Sequence, residues 1–226
     1  MDCENAKYKI VPKDYDYYLF DFDLTLFDTS EPSALSYKAA FAAIGAEYNE
    51  KNFYIYLSES LTDTFARCCS DKSKYALFES TFYDVSHSQM WSAKIYSDVR
   101  ETLELLKNRH KKIAIVTNKD AEAVNIILKA NGFESNFFNA VVTCDEIKNC
   151  KPAPDALLLC LKKLNEQTHE NLMAVYIGDA RNDILAAQNA GIDSYFIVRK
   201  HNKSNEYAQI AIHDLRSIAV LPLEKK

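Results

Sequence analysis

The sequence predicts an α/β protein: a parallel sheet with helices on both faces, plus a separate all-helical insertion. Three observations carry this. Short apolar runs alternate with stretches of helical periodicity, the order that builds a parallel sheet. Several of those runs end in polar residues, beginning with Asp21 and Asp23 after Tyr17-Tyr18-Leu19-Phe20. Residues 46 to about 95 are crowded with aromatics and show no strand alternation.

Residues 1–13 read as a lead-in that ends near Pro12. Tyr17–Phe20 is a buried strand, with Asp21 and Asp23 at its carboxyl end, the edge where open parallel sheets bind ligands. Ser30 with Pro32 marks a helix start. Leu35, Ala39, Ala42 and Ala43 give that helix its expected apolar face, and Gly45 closes it. In the aromatic stretch, Leu61-Phe65-Cys68 and Tyr75-Phe78-Phe82 keep helical spacing, so three or four helices are expected there. Their aromatic stripe reads as core rather than as a ligand box.

Val99, Leu103 and Leu106 mark the next helix. Lys112-Ile113-Ala114-Ile115-Val116 is a second buried strand, ending at Thr117-Asn118. A helix through Val124, Ile127 and Leu128 runs to Gly132, and Ala140–Thr143 is a short strand. Lys151-Pro152-Ala153-Pro154-Asp155 breaks the chain and opens the helix Leu157 to Leu164. Ala174–Ile177 is a strand that leads into Gly178-Asp179, a helix runs to Gly191, and Ser194–Val198 is the last clear strand. The expected division is a core of residues 14–30 and 96–226 and a helical module of residues 31–95.

A chain of 226 residues has room for one ordinary core and a smaller module. Its net charge of −5 argues against a nucleic-acid footprint, which would be basic and clustered. No apolar stretch approaches the ~20 residues of a membrane span, and the polar amino terminus does not read as a signal peptide. Six cysteines without a C-x-x-C pair read as free thiols in a reducing compartment, so a cytoplasmic protein is expected. The expected state is a monomer or weak homodimer. The five histidines are scattered and read as ordinary surface or core residues.

An Asp-x-Asp pair is a turn signal, and it is also a site for a hard cation with oxygen ligands. The two readings stand even until the other strand ends are counted. Lys151 alone is an ordinary surface lysine, and Thr117-Asn118 or Gly178-Asp179 alone is a turn. In one parallel sheet, however, these ends point the same way and converge on one pocket. Together they suit phosphoryl transfer. Asp21, Asp179 and Asp183 suit a Mg²⁺ ion. Asp21 can attack phosphorus, and Asp23 can protonate the leaving oxygen and then deprotonate water. Thr117 and Asn118 can bind phosphate oxygens, and Lys151 adds fixed positive charge.

The motifs Phe20-Asp21-Phe22-Asp23-Leu24-Thr25-Leu26, Thr117-Asn118-Lys119, Lys151-Pro152-Ala153-Pro154-Asp155, and Gly178-Asp179 through Ala190-Gly191-Ile192 carry a resemblance. In order and spacing the chain resembles the haloacid-dehalogenase-like superfamily, in its phosphoglycolate-phosphatase-like branch. The resemblance implies a Rossmann-like core with a helical cap inserted at residues 31–95. It implies Asp21 as nucleophile and metal ligand. It makes Asp23 the acid/base, with its backbone carbonyl as a second ligand. Thr117 and Lys151 become phosphate ligands, and Asp179 completes the metal site with Asp183 in support.

Two positions depart from the branch: Leu24 where Gly is frequent, and Ser97-Asp98 where Pro-Gly is frequent. Within the superfamily, Asp23 speaks against a dehalogenase or a phosphonatase, and Thr25 against the hexose-phosphate mutases. The leading expectation is a Mg²⁺-dependent phosphatase acting on a small phosphorylated metabolite through an aspartyl-phosphate. The alternatives are a phosphate-accepting signalling module, a hexose-phosphate mutase of the same superfamily, and a catalytically weak binding relative. Ser58, Ser60 and Arg67 are the candidates for substrate contact from the cap. Arg67 leads them, as a cation for a carboxylate- or phosphate-bearing substrate.

Overall fold

The computed structural model describes residues 13–165, 173–202, 208 and 210–219. The lead-in up to Pro12, Cys3 and His169 lie outside the described residues.

Strand β1 (Tyr17–Phe20) opens the fold. A two-residue strand β2 (Phe27–Asp28) leads into helix α1 (Ser30–Ala43). Helices α2 (Phe53–Ser58), α3 (Leu61–Cys68) and α4 (Tyr75–Gln89) follow. Strand β3 (Lys94–Ile95) then returns to pair antiparallel with β2. The rest alternates: α5 (Val99–Asn108), β4 (Lys112–Val116), α6 (Ala121–Ala130), β5 (Ala140–Val142), α7 (Asp155–Asn165), β6 (Ala174–Gly178), α8 (Arg181–Ala190) and β7 (Asp193–Ile197). A short β8 (Ala211–Ile212) and α9 (Arg216–Ala219) complete the described chain.

The main sheet has the order β5-β4-β1-β6-β7-β8, and every pairing in it is parallel. β1 is central, so its carboxyl end lies between those of β4 and β6. Burial follows the two-residue period of a strand. Tyr18 and Phe20 enter a cluster with Leu103, Leu106, Val124 and Ile127 of α5 and α6. Tyr17 and Leu19 enter another, with Leu157, Cys160, Ala186 and Ala187 of α7 and α8. A strand covered on both faces must be apolar throughout, and β1 is. Each large side chain so buried contributes about 1.5–3 kcal/mol.

The helices between β2 and β3 hold a third cluster, built on Tyr37, Phe41, Tyr56, Phe65, Phe78 and Phe82. Phe65, Phe78 and Phe82 of the aromatic stripe are core, as its spacing indicated, while Tyr54 and Trp91 of the same stretch are 46% and 64% exposed. The buried face of α1 is a correction. Ser33, Ser36, Tyr37, Ala40 and Phe41 are buried, while Leu35 is 44% exposed and Ala42 and Ala43 face solvent. The two rings, Tyr37 and Phe41, bury more area against α4 than Leu35 and the alanines could. The paired strands β2 and β3, with β8 and α9, were not read from the sequence. They are two to four residues long, too short for a period to register. No helix among the described residues is long and apolar enough to cross a membrane.

Candidate active site

The loop after β1 is shaped by its own backbone. Asp21 N–H donates to Ile177 O of β6 (2.8 Å), which carries the strand one residue past its end. Leu24 N–H then donates to Phe27 O (2.7 Å) and Leu26 N–H to Phe22 O (3.1 Å), closing a tight turn. Leu24 takes a left-handed φ of 57°, a conformation that favours glycine. Its side chain is buried and lines the cleft, which accounts for a bulky residue where the branch often has Gly. The turn leaves Asp21 buried and Asp23 half-buried at the cleft floor.

Asp23 Oδ1 accepts a hydrogen bond from Thr29 Oγ1 (2.6 Å) and lies 3.1 Å from Lys119 Nζ. Lys151 Nζ meets Asp21 Oδ1 at 2.5 Å, Asp183 Oδ1 at 2.6 Å and Tyr176 Oη at 2.8 Å. Burial alone would lower the pKa of the Lys151 ammonium. The Asp183 and Asp21 carboxylates outweigh burial and hold it above the ordinary lysine value. Asn118 fixes the backbone of Lys151 from both sides: Oδ1 accepts from Lys151 N–H (3.0 Å), and Nδ2 donates to Lys151 O (3.3 Å).

The third strand end supplies Asp179 and Asp183. Asp179 Oδ1 accepts from Thr25 Oγ1 (3.1 Å), and Asp179 Oδ2 lies 2.7 Å from His201 Nε2. Asp183 Oδ2 accepts from Ala180 N–H (2.9 Å), which folds the carboxylate back over Gly178. A Cβ on Gly178 would overlap that carboxylate, so only glycine fits.

One oxygen from each of Asp21, Asp179 and Asp183 lies within 4.8 Å of the others, and all three residues are buried. Two ionised carboxylates at that separation repel by roughly 3–4 kcal/mol at an effective dielectric of about 20. Lys151 supplies a single compensating charge. Burial, then the charge of Asp183, pushes Asp21 well above the ordinary carboxylate pKa. Burial pushes Asp179 up as well, against the lowering hydrogen bond from His201. An oxygen-only donor set with excess negative charge in a buried pocket fits a hard divalent cation.

Asp21, Asp23, Thr117, Asn118, Lys151, Asp179 and Asp183 all line one cleft of about 500 Å³. Arg67 does not. Its guanidinium is bound to Glu59, and it lies outside the residues that line the cleft. Ser58 and Ser60 do line it. The Asn118 side chain uses its oxygen and one of its two N–H donors on the Lys151 backbone. Thr25, Thr29, Lys119, Tyr176 and His201 bond to the carboxylates or to Lys151 at the site, and the sequence reading gave them no role. Lys119 follows Thr117-Asn118 directly and could have been found by its place at a strand end. His201 carried no such signal, because it follows the last clear strand in a stretch without periodicity. His201 is one of the five histidines read as ordinary surface or core residues, and it contacts Asp179 with a side chain only 9% exposed.

A family model for the haloacid dehalogenase-like hydrolases matches residues 18–197. The chain belongs to that family. A pyrophosphatase of Bacillus pumilus, PpaX, is 34% identical over 175 residues, covering 76% of this chain and 78% of that protein. Among solved structures, a haloacid dehalogenase-like hydrolase of Bacteroides fragilis superposes with a TM-score of 0.80 at 22% identity, covering 89% of this chain and 98% of the other. CbbY of Rhodobacter sphaeroides, solved with phosphate, superposes with a TM-score of 0.75 at 20% identity over 89% of this chain and 95% of its own. At those identities the two structures establish the shared fold. The Rossmann-like sheet and the helices inserted after its first strand are those of a haloacid dehalogenase-like hydrolase.

Proposed function

We propose that this hydrolase is a Mg²⁺-dependent phosphatase that removes phosphate from a small metabolite through an aspartyl-phosphate on Asp21. The observation that carries the reading is the convergence of Asp21, Asp179, Asp183 and Lys151 in one buried cluster under an open cleft. Asp21, Asp179 and Asp183, with the Asp23 backbone carbonyl, would hold the ion, which when bound offsets phosphate charge that would repel an incoming carboxylate.

Asp21 attacks phosphorus and the ester oxygen departs. Asp23 gives that oxygen its proton, then takes one from the water that attacks the aspartyl-phosphate and releases free Asp21 and inorganic phosphate. Thr29 and Lys119 hold one Asp23 oxygen, which leaves the other to move the proton. Thr117 Oγ1 accepts from Lys119 N–H (3.1 Å), so its own proton is available to a phosphate oxygen. Lys151 binds the phosphate and screens Asp21, and Asn118 acts by holding Lys151 in place.

Residues 31–95 serve as the cap that covers this chemistry. The free thiols Cys68, Cys69, Cys144, Cys150 and Cys160 fit a cytoplasmic setting. The test is turnover of p-nitrophenyl phosphate. Activity with Mg²⁺, lost on chelation and in Asp21→Asn, supports the reading, and equal activity in Asp21→Asn defeats it.

A further inference from the structure

The cleft has two walls of unlike chemistry. The core wall carries cations: Lys119 and Lys151 at the floor, Lys148 and Arg181 at the rim. The wall formed by the inserted helices contributes no Lys, Arg or His to the lining among the described residues. Its charged lining residues are Glu59 and Glu79. Glu59 is bound to Arg67, which leaves Glu79 as the carboxylate that faces the cleft without a cation beside it.

Several hydroxyls on this wall have their protons committed within the protein. Ser58 Oγ donates to Ile55 O (2.9 Å), and Ser60 Oγ donates to Asp63 Oδ2 (2.7 Å). Tyr75 Oη donates to Glu79 Oε1 (2.7 Å). Thr62 Oγ1 sits 2.9 Å from Tyr75 Oη, and because that tyrosine's proton goes to Glu79, Thr62 is the donor in this pair. The result is a directed chain, Thr62 to Tyr75 to Glu79, that ends on a carboxylate lining the cleft. Ser33, Tyr54 and Tyr83 also line it without a hydrogen bond among the described residues, and each can accept as well as donate.

A wall with a carboxylate, several committed hydroxyls, three hydroxyls that can donate or accept, and no cation in its lining among the described residues favours a leaving group that brings donors. A second phosphate, or a carboxylate, brings only acceptors and a like charge. An uncharged polyhydroxy group brings several O–H donors. We infer that the substrate is the phosphate monoester of a neutral polyhydroxy compound, a sugar phosphate in chemical class, with Glu79 accepting from its hydroxyls. This rests on the phosphatase reading above and departs from the anionic substrate for which the Bacillus pumilus relative is named. Lys148 and Arg181, exposed on the opposite rim, offer the rival solution of a second anion.

The experiment compares kcat/KM for glucose 6-phosphate and ribose 5-phosphate with that for phosphoglycolate and pyrophosphate, with p-nitrophenyl phosphate reporting the chemistry alone. At least one sugar phosphate should exceed both anionic compounds by roughly tenfold or more, the scale of a hydrogen bond to a charged group. Glu79→Lys should move that ratio toward the anionic compounds by a similar factor, and Glu79→Gln by less. If p-nitrophenyl phosphate is hydrolysed but phosphoglycolate or pyrophosphate is preferred, the substrate class is overturned while the phosphatase reading stands. A sugar-phosphate preference that neither Glu79 variant alters overturns the role of this wall. No turnover of any of the five compounds removes both readings.

Discussion

Lys119 Nζ lies 3.1 Å from Asp23 Oδ1, the oxygen that also accepts the 2.6 Å hydrogen bond from Thr29 Oγ1. Two donors on one oxygen fix the carboxylate and leave Oδ2 for proton transfer. Lys119→Met and Thr29→Val each free the side chain to rotate. Each should lower kcat roughly tenfold or more, within the 10²–10⁴ that general acid–base catalysis supplies. The loss should be larger for esters with poor leaving groups, which need the proton, than for p-nitrophenyl phosphate. Equal losses on both would separate these residues from the Asp23 proton.

Gly178 makes room for the Asp183 carboxylate, which would collide with any Cβ there. Gly178→Ala should therefore push Asp183 away from Lys151 while the sheet around it stays intact. The expected result is Mg²⁺ affinity weakened roughly tenfold or more, the scale seen when a ligand's supporting contacts are lost, with an unchanged far-ultraviolet spectrum. Wild-type Mg²⁺ affinity would show that Asp183 does not serve the ion.

Lys151 compensates Asp21 and Asp183 in a buried site, at 2.5 and 2.6 Å. Lys151→Met removes that charge and leaves the carboxylates facing one another. Unpaired buried charges of this kind cost about 3–5 kcal/mol. Denaturant unfolding without metal should show a loss of that order, and saturating Mg²⁺ should recover much of it. Stability unchanged by the substitution would mean the carboxylates had already taken up protons.

Burial and the neighbouring carboxylates hold Asp21 above its ordinary value of 3.8, and burial holds Asp179 above the same value. Between 3.8 and their raised folded values, the native protein keeps protons that the unfolded chain has released. The metal-free protein must therefore lose stability as pH rises through that window. The raised Lys151 acts only near and above its ordinary value of 10.5, so it does not offset this. A divalent ion displaces the retained protons. The rise in melting temperature produced by Mg²⁺ should grow as pH rises above the ordinary carboxylate value of 3.8 toward the raised folded values. A Mg²⁺ effect that does not change with pH would contradict the assignment of these carboxylates to the ion.

The core was legible because both faces of its strands are covered. Continuous apolar runs such as Ile113–Val116, each ending in a polar residue, mark a parallel strand and its active edge together. The α1 face was misread because alanines and Leu35 signal apolarity as strongly as Tyr37 and Phe41, while the fold buries the larger rings. Arg67 was misplaced for a related reason: sequence shows a cation near a helix end, but not that Glu59, eight positions earlier, captures it. His201 reaches Asp179 across a connection with no period, and only the folded chain brings the two together. Gly178 was read as part of a turn, and its need to clear Asp183 appears only in three dimensions.

The most direct measurement is an acid quench during turnover of a good substrate, followed by mass mapping of the phosphorylated peptide. Phosphate should appear on the peptide that contains Asp21, formed and lost at rates compatible with kcat, and should be absent in Asp21→Asn. Steady turnover with that peptide unmodified, or phosphate on another residue, would contradict a phosphatase that works through Asp21.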